Sequence, residues 1–420
     1  MKIFFIRLLS TVSFLLFLTT AAIAQHSDMV DSTQTQVFAD SGKSYFIPDV
    51  SRKQHMGWTK GGNKLLTWQL GFVPILDYNL NIQNEQSEKQ VGSQESRLDI
   101  RSARFSVRGN LNFKKNPWSY MISMEYKGLD RNEDDDPFGF TDIKFSIPIG
   151  KKADITFGKI KETYIYEMVG DAANLPHQER LLNPFFRSRN TGIVYKHYFF
   201  GNRMTATAGW FNDFINGKGN NTFTSRLTGL TKWVNNGKLY IHSGIGFRYV
   251  QAKEGTVRLK GKNQSNISTN YVDTKDFAAD HQVNLGFEQL WSLENFSILL
   301  EYAHNWTKTP SGNEQFKGYY VTGSYIISGE QRPYDMKAAY ARRVKPDGKA
   351  GAFEIVSRFG KVSLNSRNVT GGINTIYSFG LNWWATQFWK AGMFYTISNL
   401  DKNDYIGVTN TFQWRVQWVF

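Results

Sequence analysis

The residues best suited to chemistry in this sequence are arginines in and around the long segment 163–188. Arginine stays charged at any ordinary pH, and its planar guanidinium can donate two parallel hydrogen bonds to one oxyanion. The candidates in the segment and at its exit are Arg180, Arg187 and Arg189. The opposing charges in the same stretch are Glu167, Asp171 and Glu179. The pattern fits anion binding, and it fits equally well salt bridges to Glu179 and to nearby strands that keep the segment folded.

A second group of charges lies on strand-like segments. Successive side chains of a strand point to opposite faces, so Arg104 and Arg108 share a face with Ser106, Asn110 and Asn112, with no acid among them. We therefore predict that Arg104 and Arg108 contact a solute. The same alternation places further cations on the water-facing side of their strands: Lys127, Lys144, Arg248, Arg358 and Arg415. It also places acids there: Glu125, Asp142, Asp154, Glu288, Glu301 and Glu354. This near balance predicts cross-strand ion pairs for several of them, while Arg358 and Arg415 stay candidates for anion contact.

Other chemistry has little support. The chain has no Cys, which removes thiol catalysis, Cys-ligated zinc and disulfides. Its seven His show no zinc spacing, and no G-x-S-x-G or phosphate-binding glycine loop occurs. The acidic run 133–136 could gather a divalent cation, although a solvated loop explains it better. We expect no metal, no cofactor and no enzymatic activity.

The elements that carry these charges are strands. From Leu66 onward, stretches of roughly 10 to 14 residues alternate in hydrophobicity between turns rich in Gly, Asn, Asp and Lys, the pattern of membrane strands. One face suits lipid and the other suits water, and we expect long loops after odd-numbered strands and short turns after even-numbered ones. Residues 328–350 break that rule, through either a miscounted strand or an unusual turn. The predicted strands are 66–82, 99–113, 118–128, 139–149, 152–162, 189–200, 203–214, 222–234, 238–252, 281–291, 294–305, 314–327, 351–365, 372–386, 388–399 and 405–420. The sequence thus predicts an all-β protein, a transmembrane antiparallel β-barrel of about 16 strands, with segment 163–188 folded inward as a constriction loop.

The first residues resemble an export signal. Lys2 and Arg7 precede an apolar stretch, and Ala22-Ile23-Ala24 offers a small-residue cleavage site. A signal-anchor helix is the alternative, but the apolar stretch is shorter than the ~20 residues that a span needs. We predict a signal peptide at 1–24, a polar N-terminal segment at 25–64 and the barrel at 65–420.

Composition agrees with a barrel in an outer membrane. The 12 Trp, 20 Tyr and 32 Phe make up 15% of the chain, and barrels need aromatic side chains at both lipid interfaces. Removal of the signal peptide would lower the formal net charge from +14 to +12, which favours negatively charged partners. We expect small anionic solutes, outer-membrane lipid and lipopolysaccharide as partners, and no nucleic acid.

The end of the sequence is an amphipathic strand. Its apolar face ends in Trp414, Val416, Trp418 and Phe420, alternating with polar residues. A final strand that closes on Phe is similar to the signal read by the barrel-assembly machinery, and these four residues are the predicted assembly signal.

Several segments resemble the phosphate-selective porin O and P family. They are 100–109 (IRSARFSVRG), 157–162 (FGKIKE), 318–321 (GYYV), 329–334 (GEQRPY), 352–355 (AFEI), 358–359 (RF), 380–384 (GLNWW) and 412–417 (FQWRVQ). Two positions depart from the family pattern: Ser102 stands where a second adjacent arginine is frequent, and Thr163 where Pro is usual. The resemblance implies a barrel of about sixteen strands that forms a homotrimer, and it adds Lys161 to the pore-lining candidates.

The leading hypothesis is a passive pore that prefers anions such as phosphate or similar oxyanions. An adhesin or assembly scaffold is the first alternative, and it would have a blocked lumen and bind through the external loops 83–98 and 253–280. A lipid-cleaving barrel enzyme is the second. His242 is the one strand histidine that we place on the lumen face, and Ser243 points the opposite way, so a nucleophile beside a base is missing there.

Overall fold

The computed structural model describes residues 60–113, 116–126, 138–212 and 220–419. The predicted signal peptide, the N-terminal segment up to residue 59, the acidic run 133–136, Lys127 and Phe420 lie outside the described residues. Within the described part of the chain, no helix has the length and apolarity needed to cross a membrane.

Sixteen antiparallel strands form the wall of a closed barrel. The first strand pairs with the second and also with the last, from Ile75 opposite Gln417 to Gln83 opposite Thr409, and this pairing closes the barrel. The predicted count of sixteen is therefore confirmed. In chain order, β1 to β16 are Thr67–Gln83, Arg97–Leu111, Trp118–Tyr126, Phe138–Ile149, Ala153–Ile160, Asn190–Phe199, Met204–Phe211, Asn221–Val234, Leu239–Gln251, His281–Leu293, Phe296–Thr309, Gly312–Ile326, Ala352–Asn365, Thr370–Trp384, Trp389–Lys402 and Tyr405–Trp418. A short strand, Lys60–Gly62, pairs with the start of β1.

Side chains alternate between the outside and the lumen as predicted. On β2, Phe105 and Val107 are exposed on the outer surface, whereas Ser106 and Arg108 are buried toward the lumen. Aromatic side chains are exposed on the outside near the chain termini, and the Trp389 and Trp418 rings stack there at 5.6 Å between centroids. An apolar outer band with interfacial aromatics is the surface that a lipid bilayer solvates.

The lumen face is less polar than the alternation predicts. Leu290, Leu299, Phe316 and Tyr320 point inward from β10 to β12 and are almost fully buried. They form an apolar core inside the barrel with residues of segment 161–189. The sequence pattern missed this core because it assumed that water fills the whole lumen.

Three connecting segments supply the material that packs inside the wall. Segment 161–189 contains the helix Tyr166–Val169 and the 3-10 turns Ala172–Asn174 and Asn183–Phe185. Segment 252–280 contains two short hairpins, and segment 327–351 contains a third. The paired hairpin strands are Thr256–Val257 with Phe277–Ala278, Lys260–Lys262 with Asn270–Asp273, and Tyr334–Asp335 with Tyr340–Ala341.

Segment 327–351 explains why residues 328–350 break the predicted rule of short turns after even-numbered strands. It is an unusual turn that joins β12 to β13, since neither of its short strands belongs to the barrel sheet. Its Tyr334, Tyr340 and Arg343 are buried. We call the barrel end that carries this segment and residues 60 and 419 the terminal end, and the opposite end the loop end.

At the loop end, three connections are shorter than predicted for loops that follow odd-numbered strands. Connections after β11, β13 and β15 are short, although they follow odd-numbered strands. After β15 the turn consists of Asn403 and Asp404, both with positive φ, as a two-residue hairpin requires. The long connections at this end include segment 252–280 and the helix Glu85–Val91, which pack against each other: Thr269 Oγ1 donates to Val91 O at 2.9 Å.

Candidate constriction site

Segment 161–189, which includes the predicted constriction loop 163–188, lies inside the barrel, and Glu167 holds it in shape. The Glu167 carboxylate accepts hydrogen bonds from the Leu181 and Leu182 backbone N–H groups, each at 2.9 Å. Arg358 on β13 donates Nη2 to the same carboxylate at 2.7 Å. Burial raises the pKa of Glu167, but His177, Arg358 and the Leu182 N–H outweigh it and lower the pKa to about 2. The carboxylate is therefore ionised and pins both halves of the loop to the wall.

Glu179 is the second anchor of the constriction loop. Its carboxylate accepts from Arg101 Nε at 2.7 Å and from Arg415 Nη2 at 2.5 Å. Arg415 also binds Asp77 on the neighbouring strand through Nε at 2.7 Å and Nη2 at 2.6 Å. Burial raises the pKa of Glu179, and the two arginines bring it down to about 2. The first, second and last strands are thereby joined to one point of the loop.

Arg101 is a site residue that the sequence alternation missed. The register of β1 against β2 shifts between Ile75, opposite Ser102, and Leu76, opposite Ile100, so Arg101 is the extra residue of a β-bulge. A bulge lets two consecutive side chains depart from strict alternation. Arg101 therefore reaches Glu179 inside the barrel, although strict alternation from the exposed Phe105 and Val107 would place it on the lipid side.

Close packing of the loop against the wall depends on glycines. A Cβ on Gly246 of β9 would lie 1.9 Å from the Tyr164 carbonyl oxygen, and one on Gly286 of β10 would lie 2.2 Å from Ile165 Cγ2. Both distances are well below van der Waals contact, so glycine at these positions leaves room for the Tyr164 backbone and the Ile165 side chain.

The predicted loop cations occupy different surroundings. Arg180 donates Nε to Glu167 O at 2.7 Å and Nη2 to Gly170 O at 2.8 Å, so it braces the loop backbone. Arg189 donates Nε to Asp142 Oδ2 on β4 at 3.0 Å. Arg187 is exposed. Arg180 and Arg189 therefore have contacts that hold the loop in place. Arg189 pairs with a carboxylate on a nearby strand, whereas Arg180 binds backbone carbonyls of the loop and not Glu179.

Lys161 links the constriction loop to the long turn at the terminal end. Its Nζ lies 2.7 Å from Asp171 Oδ1, and burial lowers the pKa of Lys161 to about 8 despite that carboxylate. Asp171 Oδ2 in turn accepts from the Tyr340 hydroxyl at 3.1 Å, and Arg342 Nη2 lies 2.7 Å from Asp335. Segments 161–189 and 327–351 therefore meet through alternating charges inside the barrel.

Arg104 and Arg108 line the lumen on β2, as predicted. Arg104 donates Nη2 to Glu125 at 3.1 Å, directly across from it on β3. Arg108 is buried at 3% exposure, and in the part of the chain that the structure describes it forms no ion pair and its Nη1 has no hydrogen-bond partner. Arg358 and Arg415, by contrast, bind loop carboxylates. Of the predicted wall arginines, Arg108 is the one that pairs with no described carboxylate.

His242 on β9 is fully buried on the lumen side of the wall, as the alternation predicts. His242 Nε2 lies 2.8 Å from Glu288 Oε1, and its Nδ1 lies 2.7 Å from the Tyr334 hydroxyl. Ser243 Oγ points away and donates to Gln289 at 2.7 Å.

On β16, Trp414 and Val416 are exposed on the outer surface, and Trp418 stacks on Trp389.

The fold and the site match a known family over most of the chain. A family model described as "Phosphate-selective porin O and P" matches residues 75–420. The chain belongs to this family. It is accordingly an outer-membrane porin, and the resemblance carried by its sequence segments is confirmed.

Relatives of this porin cover it to different extents. Porin O of Pseudomonas aeruginosa is 28% identical over a match that covers 32% of this chain and 34% of that protein, so the match spans about a third of that relative's length. An anion-selective porin from Comamonas acidovorans superposes with a TM-score of 0.57 at 11% identity, covering 84% of this chain and 100% of that one. OmpT of Vibrio cholerae in its trimer form superposes with a TM-score of 0.54 at 12% identity, covering 84% and 99%. These two structures establish the likeness of the fold.

Proposed function

We propose that this porin lets small hydrophilic solutes diffuse passively across the outer membrane and prefers anions, with phosphate and similar oxyanions as the favoured class. The formal net charge of +14 supports this preference. The family description and the name of the Comamonas acidovorans relative point the same way.

The observation that carries the proposal is the state of Arg108. A cation on the lumen face whose charge no described carboxylate neutralises attracts anions and repels cations. At a separation of 4 Å this interaction is about 1 kcal/mol in bulk water and larger where protein replaces water. Arg104, four residues away on the same face, shares its charge with Glu125 and adds less. Neutralised arginines at the constriction loop shape the opening, and Arg108 biases what enters it.

Block of chloride current by inorganic phosphate in a planar bilayer tests this assignment. Arg108→Gln should weaken the block on the order of tenfold, which corresponds to about 1.4 kcal/mol. Lys152→Gln, which removes one exposed cation at the turn between β4 and β5, is the matched control and should leave the block unchanged. Equal block in the two variants would show that Arg108 does not bind the solute.

The proposal includes no bond chemistry. His242 lies between Glu288 and Tyr334, and Ser243 is turned away from it, so the serine–base pair that a lipid-cleaving barrel needs is not formed at this histidine. Incubation of the pure protein with phospholipid should release no fatty acid. The release of fatty acid would replace the porin proposal by an enzymatic one.

An adhesin or scaffold remains the second candidate, because three segments pack inside the barrel. A scaffold with a blocked lumen would carry no ion current, whereas a porin gives stepwise conductance. Single-channel recording separates the two candidates directly.

For assembly we propose a homotrimer embedded in outer-membrane lipid and lipopolysaccharide and inserted by the barrel-assembly machinery. The trimer form named for Vibrio cholerae OmpT and the exposed aromatic residues of the outer face support this arrangement. Chemical cross-linking of the purified protein should stop at three copies, and a ladder without a limit would contradict a closed trimer. No cofactor, metal or nucleic acid enters the proposal.

A further inference from the structure

Three cations surround one buried indole ring near the terminal end. Lys390 Nζ lies 4.7 Å from the centroid of Trp384, and the guanidinium carbons of Arg332 and Arg343 lie 5.2 Å and 5.5 Å from it. All four side chains are buried to 4% exposure or less. Cations lie favourably over an indole face, but a ring carries no net charge and cannot neutralise three of them.

One carboxylate, Glu354, lies within hydrogen-bond reach of this cluster, and its capacity is already used. Arg332 donates Nη2 to both of its oxygens, at 2.6 Å and 2.7 Å, and Nε to Oε1 at 3.1 Å. Trp384 Nε1 and Asn382 Nδ2 each donate to Oε2 at 3.0 Å. Glu354 therefore forms its direct ion pair with Arg332, and its charge reaches Lys390 only at longer range.

Arg343 is left without a counter-charge in the described chain, and Lys390 forms no direct ion pair there. Arg343 donates Nη2 to Phe388 O at 3.1 Å, while its Nε and Nη1 are buried with no described hydrogen-bond partner. Lys390 donates only to a backbone carbonyl, Leu175 O at 3.3 Å. Burial and the charge of Arg332 lower the pKa of Arg343 to about 9. A buried guanidinium with two nitrogens that lack an acceptor is a costly arrangement unless something binds to them.

We propose that Arg343, with Lys390 nearby, binds a small oxyanion of the phosphate class that holds segment 327–351 against the barrel wall. Guanidinium N–H groups bind oxyanions through charge-assisted hydrogen bonds, and those at Arg343 Nε and Nη1 have no described acceptor. Arg343 belongs to the long turn, whereas Lys390 is on β15 and Trp384 on β14. An anion between these charges therefore joins the turn to the wall. This anion is a structural ligand, separate from the solutes that pass Arg108.

The position of Arg343 within the turn explains why such a ligand would matter. The next residue, Val344, packs in a small apolar cluster with Ile326, Ala352 and Trp384. The preceding residue, Arg342, reaches Asp335, and the Tyr340 hydroxyl reaches Asp171 of the constriction loop. Neutralising Arg343 would thus favour the inward position of the whole turn and, through Asp171, the position of the constriction loop.

The test is thermal unfolding of the purified, detergent-solubilised protein in sodium phosphate against sodium chloride of equal ionic strength. A ligand that binds only the folded state raises the melting temperature with its concentration. Wild type should melt at higher temperature in phosphate. Arg343→Lys, which keeps the charge and loses the planar fork, should need about tenfold more phosphate for the same rise. Lys152→Gln should keep the wild-type rise, because it removes one exposed cation at the turn between β4 and β5.

Two results would overturn the inference. One is a wild-type melting temperature that is the same in phosphate and in chloride, and the other is an Arg343→Lys variant with the wild-type dependence on phosphate. Lys390→Gln is the second variant, in case Arg343→Lys does not fold, and it should also weaken the phosphate effect. Since the readout is stability, the outcome does not depend on whether the porin prefers anions.

Discussion

Arg415 Nη2 and Glu179 Oε1 lie 2.5 Å apart, although 236 residues separate them in sequence. The contact joins the last barrel strand to the constriction loop, and Arg101 and Asp77 complete the same buried group. The position of the constriction loop therefore depends on ion pairs with the first, second and last strands of the barrel. Such pairs form only after β16 has closed on β1.

Loss of the Glu179 carboxylate should loosen the constriction loop. Glu179→Gln leaves Arg101 without its carboxylate partner and Arg415 with Asp77 alone, and breaking a buried pair costs about 3–5 kcal/mol when one partner is removed. We expect lower resistance to denaturant and a larger, noisier single-channel conductance. Lys89→Gln is the control, because the Lys89–Glu85 pair is exposed and surface pairs contribute little. If both variants match wild type in conductance, the loop is held by its apolar core.

Acid should release the loop in a defined pH range. The folded-state pKa of Glu179 is depressed to about 2 from an ordinary value of 4.5, as is that of Glu167. A depressed carboxylate pKa stabilises the folded state above the unfolded pKa, and this contribution is lost as the pH falls through the folded value. Conductance steps should therefore be constant from pH 7 to about 5 and should change between about 4.5 and 2. In Glu179→Gln the acid-induced change should be smaller, and an identical profile would assign the titration to other groups.

The fold was largely predictable from the sequence, and the departures have local causes. Two-residue periodicity fixed the strand count and placed Arg104 and Arg108 in the lumen, because lipid on one side forces the alternation. Arg101 was missed because a bulge has no signature in polarity. The inward fold of 327–351 was flagged only by its length, since its anchors, such as Tyr340 with Asp171, are distant in sequence.

The role of the loop arginines was less predictable. Sequence alone left Arg180, Arg187 and Arg189 equally suited to anion binding and to bracing. The sequence does not predict that Arg180 donates to the Glu167 and Gly170 carbonyl oxygens, because every residue type has a backbone carbonyl. The assembly role of Trp414, Val416, Trp418 and Phe420 stays a prediction from the strand pattern.

Replacement of Arg180, Arg187 and Arg189 by Ala tests whether these residues filter anions. If they contribute positive potential where the lumen is narrowest, the triple variant should shift relative anion entry about tenfold, equivalent to about 1.4 kcal/mol. Reversal potentials in a KCl gradient and phosphate block of chloride current measure this shift. The exposed external cation Lys253, changed to Ala, should have a much smaller effect. If the triple variant behaves like wild type, the loop arginines are purely structural, while the barrel and the pore assignment would stand.

The central claim, an anion-preferring pore, is tested most directly by the reversal potential of the wild-type protein in a planar bilayer under a tenfold KCl gradient. Stepwise conductance should appear, and the reversal potential should have the sign set by chloride moving more easily than potassium. The preference should fall as salt rises, because ions screen the charge of Arg108. A reversal potential of the opposite sign, or a bilayer that carries no current after verified insertion of the folded barrel, would contradict the claim.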